Sequence, residues 1–206
     1  LTAWESLGTY ERERENNEEA AIKALLEAKE NIDGAVLNDA TRGKSKTWKR
    51  RGDVYWFIYT DKSPRLLLHK DGAPDTAASS YMRALVVETR GNGKPKIENA
   101  ADIGNKLLTL GNTLFEQGLD KFNSSDFKAS DAAYAKAFTI FSALSNQDPE
   151  NQGIQRQLAI IQLYRSMALF NGGEKEKGIA MAKEAMEAQP KDTVMTQNLI
   201  SLYLAN

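Results

Sequence analysis

The chain has 206 residues, 41% of them hydrophobic and 27% charged, with a formal net charge of −1 and a pI near 6.0. Such a chain can bury a core, and it carries no overall field that would gather nucleic acid or an anionic membrane. Cysteine is absent, which excludes disulfides, thiolate metal sites and a cysteine nucleophile while leaving the redox compartment open.

Residues 2 to 15, with Trp4, Leu7, Gly8 and Tyr10, predict a first helix. The segment from Glu11 to Glu19 is mostly charge, and Asn17 followed by Glu18 and Glu19 predicts an N-cap with acids in the first turn of a second helix. That helix runs to about Leu37, its Ala21, Leu25, Ala28, Ile32 and Ala35 recurring at threes and fours. Asn38 to Lys46 is expected to be a polar loop. A third helix, from Ser45 or Thr47, carries Trp48, Gly52, Val54, Tyr55, Phe57 and Ile58 and stops at Asp61-Lys62-Ser63-Pro64. An insertion over about 61–75 follows, with Leu66-Leu67-Leu68-His69 between Pro64 and Pro74. This is long for a turn between paired helices. Asp75-Thr76 is expected to cap a fourth helix, in which Ala77, Tyr81 and Ala84 form a small-bulky-small triad, before Gly91-Asn92-Gly93-Lys94-Pro95 ends it.

A fifth helix is predicted from about Ile97 to Leu119, with Leu107, Leu110, Gly111 and Leu114 in the pattern LxxLGxxL. A sixth begins near Ser124 or Ser125 and sets Ser130, Tyr134 and Ala137 in a second small-bulky-small triad. The turn Asp148-Pro149-Glu150-Asn151 leads to a seventh helix with Ile154, Leu158, Ile161, Leu163 and Met167, ended by Asn171-Gly172-Gly173. The eighth, Glu174 to Ala188, places Gly178, Ala182 and Ala185 on one face, and Gln189-Pro190-Lys191-Asp192 turns into a ninth with Leu199, Leu202 and Tyr203.

Two signatures recur along this order. Trp48, Arg51, Gly52 and Tyr55 read WxxRGxxY, which puts two aromatics and a glycine on one helical stripe, and Ala28, Ile32 and Ala35 read AxxxIxxA. Gly52 and Gly111 are therefore expected at close helix crossings. Together the signatures resemble the tetratricopeptide repeat, whose 34-residue unit carries WxxLGxxY on its first helix and AxxxFxxA on its second; Arg51 stands where that family has leucine. The resemblance implies an all-α fold, an alpha-alpha superhelix of stacked antiparallel helix pairs. About four repeats would span residues 1–40, 45–90, 97–148 and 150–190, closed by a capping helix over 192–206, as a single domain over 1–206. The stretch TxxxxKTWxxRGxxY at residues 41–55 also resembles exported repeat proteins of the Bacteroidetes group. On that resemblance the expected location is periplasmic or envelope-associated, with a signal peptide removed; the cytoplasm stays open.

Little in the sequence points to catalysis or to a metal or cofactor. Gly43-Lys44-Ser45 looks like the end of a phosphate loop, but Asn38 occupies the place of the required first glycine, after a helix and not a strand. His69 is the single histidine, so multi-histidine metal sites and most base-assisted nucleophiles have no basis. Carboxylate pairs such as Glu18 with Glu19, or Asp126 with Asp131, stand in helix starts where acids stay solvated. Arg42, Lys44, Lys46, Lys49, Arg50 and Arg51 surround Trp48 in a basic run over 42–51. The acidic block Glu11, Glu13, Glu15, Glu18 and Glu19 could face it, so a solvated or internally paired surface is favoured over an acidic peptide site, and that over nucleic acid.

In the family the resemblance points to, the first helix of each pair lines a concave face that grips peptides. By that resemblance the face exposes Lys46, Lys49, Arg50, Asp53, Trp56 and Phe57 on the third helix and Asn105, Leu108, Asn112 and Phe115 on the fifth. Gln152, Gln155, Ala159 and Gln162 continue it on the seventh. The family's clamp for a terminal carboxylate is not assembled, because the first helix offers Glu5 and Thr9 at its places. The expectation is a non-enzymatic scaffold that binds a peptide or protein segment, with Trp56, Phe57 and Phe115 as apolar anchors and no small-molecule substrate. The alternative is an accessory or regulatory module of an enzyme or envelope complex. The three leucines of the insertion are too apolar to idle in water, so residues 64–74 are expected to fold back over the third and fourth helices or else to mark a surface for self-association or a partner.

Overall fold

A computed structural model describes residues 2–87, 100–188 and 193–204. The described residues form helices and no strand. In chain order these are α1 (Ala3–Glu13), α2 (Glu18–Leu37), α3 (Asp39–Arg42), α4 (Ser45–Thr60), a 3-10 turn (Pro64–His69), α5 (Ala73–Val87), α6 (Ala100–Asn123), α7 (Phe127–Gln147), α8 (Gln152–Asn171), α9 (Lys175–Ala188) and α10 (Thr193–Leu204). The turns expected at 91–95 and 189–192, the start of the fifth helix at Ile97 and the side chains of Leu199, Leu202 and Tyr203 lie outside the described residues. Contacts divide the chain into two compact units, Leu1–Ile103 and Gly104–Asn206. Among the described residues no helix is long and apolar enough to cross a membrane.

Helix starts follow local chemistry. Thr2 and Glu5 form a reciprocal capping box, Asn17 accepts from the Ala20 amide at 3.1 Å, and Asn151 accepts from the Ile154 amide at 3.2 Å. Three boundaries differ from the sequence expectation. The loop at 38–46 contains α3, because the Asn38 side chain accepts from the Ala40 amide at 2.9 Å and so caps one extra turn. Helix α5 begins at Ala73, ahead of Asp75, since Gly72 takes a φ of +68° and turns the chain early. Helix α7 is capped by Asp126 and not by a serine, because Ser125 sits at a φ of 62°.

In the first unit α1 packs on α2, α2 on α4, and α4 on α5. The core is built from Leu7, Tyr10, Ala21, Leu25, Ala28, Ile32, Val54, Ile58, Ala77, Tyr81 and Ala84, all buried. The fully buried triad of α2 is Ala21, Leu25 and Ala28; Ala35, from the triad read in the sequence, is half-buried. Gly52 lies under a ring: a Cβ there would stand 2.5 Å from Cδ1 and Cε1 of Tyr81. Gly8 meets nothing within 4 Å, so α1 makes no equivalent crossing despite its leucine-glycine pair.

In the second unit α7 packs on α8 and α8 on α9, and α6 meets α7 through glycines under aromatic rings. A Cβ on Gly111 would stand 2.7 Å from the Phe141 ring, and one on Gly118 would enter the Tyr134 ring. Gly118, and not the LxxLGxxL glycine Gly111, therefore meets the bulky member of the triad, as Gly52 meets Tyr81. Twelve residues after Gly118, Ser130 donates its hydroxyl to the Gly118 carbonyl at 2.9 Å. The same interval separates Ser166 from Gly178, where a Cβ would stand 2.6 Å from the Ser166 carbonyl. Gly52 and Gly118 thus each lie under a tyrosine ring of the next helix, while Gly178 lies against the backbone of the helix before it.

The insertion ends at Gly72, ahead of the expected bound, and contains the 3-10 turn Pro64–His69. Leu66 is fully buried, while Leu67 and Leu68 are 64% and 94% exposed. Tyr10 and the Ser63 amide donate to the Asp61 carboxylate, each at 2.7 Å, and the Ser63 hydroxyl donates to Glu18 at 2.5 Å. Lys70 donates to the Asp61 carbonyl, and Arg65 reaches Glu19 at 3.9 Å. The segment is a strap that ties α4 back to α1 and α2.

Candidate functional site

Helix α4 carries most of the candidate residues, and its successive faces do different work. One face holds a half-buried charge network. The Asp33 carboxylate of α2 accepts from Arg51 Nε at 2.9 Å, from the Tyr55 hydroxyl at 2.7 Å and from Lys29 Nζ at 3.2 Å, and Arg51 also donates to the Ser80 hydroxyl at 3.2 Å. Arg51, the departure from the repeat signature, thus joins α2, α4 and α5. Burial pushes the Asp33 carboxyl up, but the hydrogen bonds from Tyr55, Arg51 and Lys29 outweigh it and hold the group below the usual carboxylate range. Burial, then the bond to Asp33, raises the Tyr55 phenol.

A second face holds Lys49 and Asp53. Their ion pair is 2.7 Å, Asp53 accepts from the buried Tyr81 hydroxyl at 2.9 Å, and Asp102 lies 3.9 Å from Lys49. Burial, then the Asp53 charge, raises the Tyr81 phenol far above its ordinary value. Lys49 and Asp53, both expected to face a ligand, are here engaged with each other and with the core.

The third face turns to α1. The Arg50 guanidinium stacks on the Trp4 indole, 4.5 Å from its centroid, and Trp4 is 58% exposed. Arg50 Nε is buried with no hydrogen-bond partner, and burial pulls the guanidinium pKa down against the pull of Asp53. One turn earlier on α4, Lys46 is exposed. Phe57, two turns later, packs its ring on Tyr10 at 5.1 Å, and Trp56 is half-buried. Trp4 was missed as a site residue, although its place one helix before the basic run could have suggested it.

The six cations of the basic run are divided. Arg42 pairs with Asp39 at 2.8 Å, Lys49 with Asp53 and Arg51 with Asp33, while Lys44 and Lys46 are exposed. Trp48 caps the region by donating its indole N–H to the Arg42 carbonyl at 2.8 Å. The expected meeting of this run with the acidic block is replaced by local pairs, since Glu18 and Glu19 turn to the insertion's Ser63 and Arg65.

In the second unit Asn105, Leu108 and Asn112 lie exposed along α6. Phe115 is half-buried in an aromatic trio, its ring 5.4 Å from Tyr134 and 5.2 Å from Tyr164. The Tyr134 hydroxyl at this trio is buried without a hydrogen-bond partner, and burial pushes its pKa up to about 12. Gln152, Gln155, Ala159 and Gln162 come together on α8, lining a cavity of about 300 Å³ with Phe138, Leu158 and Ala188. Gln155 spends its amide inside the protein, donating to the Ser145 hydroxyl at 2.7 Å and to the Pro149 carbonyl at 3.1 Å.

No protein-family model, curated protein or solved structure matches this chain.

Proposed function

We propose that the chain is a non-enzymatic interaction scaffold of tetratricopeptide type, and that the face of α1 and α4 bearing Trp4, Lys46 and Arg50 holds an acidic segment of a partner protein. The repeat reading is supported by the crossing in which Gly52 meets Tyr81 and Gly118 meets Tyr134. Stacking of such pairs into a superhelix belongs to the same reading.

The observation that carries the binding site is the Arg50–Trp4 stack, with its exposed indole, beside the exposed Lys46. Arginine presents five donors in a rigid fork suited to a carboxylate, and an indole beneath the guanidinium fixes its plane without using those donors. The buried Nε lies out of a ligand's reach, so a partner carboxylate would engage the terminal N–H groups of the guanidinium. Lys46 adds a second charge in reach of an extended acidic chain, and the exposed indole adds apolar contact.

Immobilised extended peptides rich in aspartate and glutamate, set beside neutral and basic ones of equal length, test the reading. The protein should be retained on the acidic series and released by salt. Arg50→Glu or Trp4→Ala should each weaken retention about tenfold, or about 1.4 kcal/mol. Equal retention on all three series, or indifference to both substitutions, would refute the site.

A further inference from the structure

The insertion presents an apolar knob that the scaffold reading does not use. Leu66 is locked in the core, and the strap contacts of Asp61, Ser63 and Lys70 hold the 3-10 turn from both sides. Leu67 and Leu68 are thereby displayed from a rigid base, 64% and 94% exposed, with the exposed cations Lys62 and Arg65 beside them. An ordered turn that keeps two adjacent leucines in water is a contact surface without its contact.

Next to the knob lies a receptor of opposite character. Glu19, Ile22, Lys23, Leu26, Glu27 and Glu30 of α2 line an open cleft of about 370 Å³, with Arg65 of the insertion at its edge. Ile22 and Leu26 offer an apolar floor, and three carboxylates against one lysine make the α2 side of the rim acidic. The knob has the exposed Lys62 beside it, and the cleft's lining, with Glu19, Glu27 and Glu30 against Lys23 and Arg65, is acidic by one charge.

We propose that the occupant of this cleft is the Leu67-Leu68 knob of a second copy of the chain. Arg65, which precedes the knob on the same 3-10 turn, lines the cleft, so the two features are neighbours on the first unit. A two-fold rotation then seats each knob in the other copy's cleft, a closed isologous dimer; features on different faces would have chained copies into open filaments. Lys62 of each copy meets Glu27 and Glu30 of the other, while Arg65 stays with Glu19 of its own copy, and that charge match selects a second copy over an unrelated apolar segment.

Sedimentation velocity on the full chain, from low micromolar to near-millimolar concentration, tests this. Wild type should show a reversible monomer–dimer equilibrium. Leu67→Ser with Leu68→Ser removes the knob, and Glu27→Lys with Glu30→Lys reverses the rim; each pair should weaken association about tenfold or more. An equal mixture of the two variants should associate better than either alone, because the heterodimer keeps one native knob in one native cleft. Both variants change side chains at the surface, so unchanged circular dichroism melting confirms that the fold persists. The proposal is overturned by a wild type that stays monomeric, by a dimer indifferent to both pairs of substitutions, or by a mixture no better than its parts. Binding of a monomer to anionic vesicles through the two leucines would overturn it in favour of a lipid surface.

Discussion

Replacing Gly52 by alanine is expected to destabilise the first unit by about 1 to 3 kcal/mol, the usual cost of overpacking a filled core, whereas Gly8→Ala is expected to stabilise it by about 0.5 to 1 kcal/mol. Both glycines lie inside helices, so alanine's helix propensity favours both substitutions equally. The difference is what the new methyl meets. At Gly8 there is nothing within 4 Å, but at Gly52 a Cβ stands 2.5 Å from two atoms of the Tyr81 ring. That ring is fully buried, and its hydroxyl is held at 2.9 Å by Asp53. It cannot retreat without breaking the bond or pushing α5 away from α4. Urea unfolding of the two variants decides the matter: equal shifts of the same sign would mean that the crossing is looser than its geometry. Gly118→Ala should repeat the Gly52 result in the second unit, because it enters the buried Tyr134 ring.

The positions of these crossings show what the sequence could and could not tell. Apolar residues at threes and fours placed the long helices, and Asn17 and the turn at Asp148-Pro149 were legible because their chemistry is local. Pairing between helices was legible only where small and bulky residues coincided. Gly52 and Gly111 were found that way, but the leucine before Gly111 drew attention from Gly118, whose partner Tyr134 is fixed by the length of the α6–α7 turn. Gly8 carried the same leucine-glycine pair, yet a Cβ there meets nothing within 4 Å. The candidate site fared similarly. The basic run was visible, yet its division among Asp33, Asp39 and Asp53 was not, because Asp33 looks like any other charge on α2 until Arg51 and Tyr55 converge on it. The sign available in advance was Arg51 itself: a guanidinium in a leucine's place on the packing stripe demands a carboxylate on a neighbouring helix.

That convergence sets the second large effect. Asp33→Ala should cost about 2 kcal/mol, below the roughly 3 to 5 kcal/mol of a fully buried pair, because the Arg51 and Asp33 side chains keep 21% and 31% of their exposure. The loss has a particular form. Removing the acceptor strands Arg51 Nε and the Tyr55 hydroxyl together, while Lys29 can turn to water. Arg51→Leu combined with Asp33→Ala and Tyr55→Phe removes donors and acceptor at once, so the combination should be less destabilising than the sum of the single changes. A sum that is simply additive would show that the three groups do not act as a unit. Protonation offers an independent check. The folded Asp33 carboxyl lies below its ordinary value of about 3.9, so its contribution is complete above that pH and disappears as the pH falls through the lower folded value. The raised Lys29 and Tyr55 values place their own losses on the alkaline side, leaving the neutral range unaffected. In Asp33→Asn the stability of the first unit should therefore fall less steeply between about pH 4 and pH 2 than in wild type; parallel acid limbs would mean that other carboxylates govern that decline.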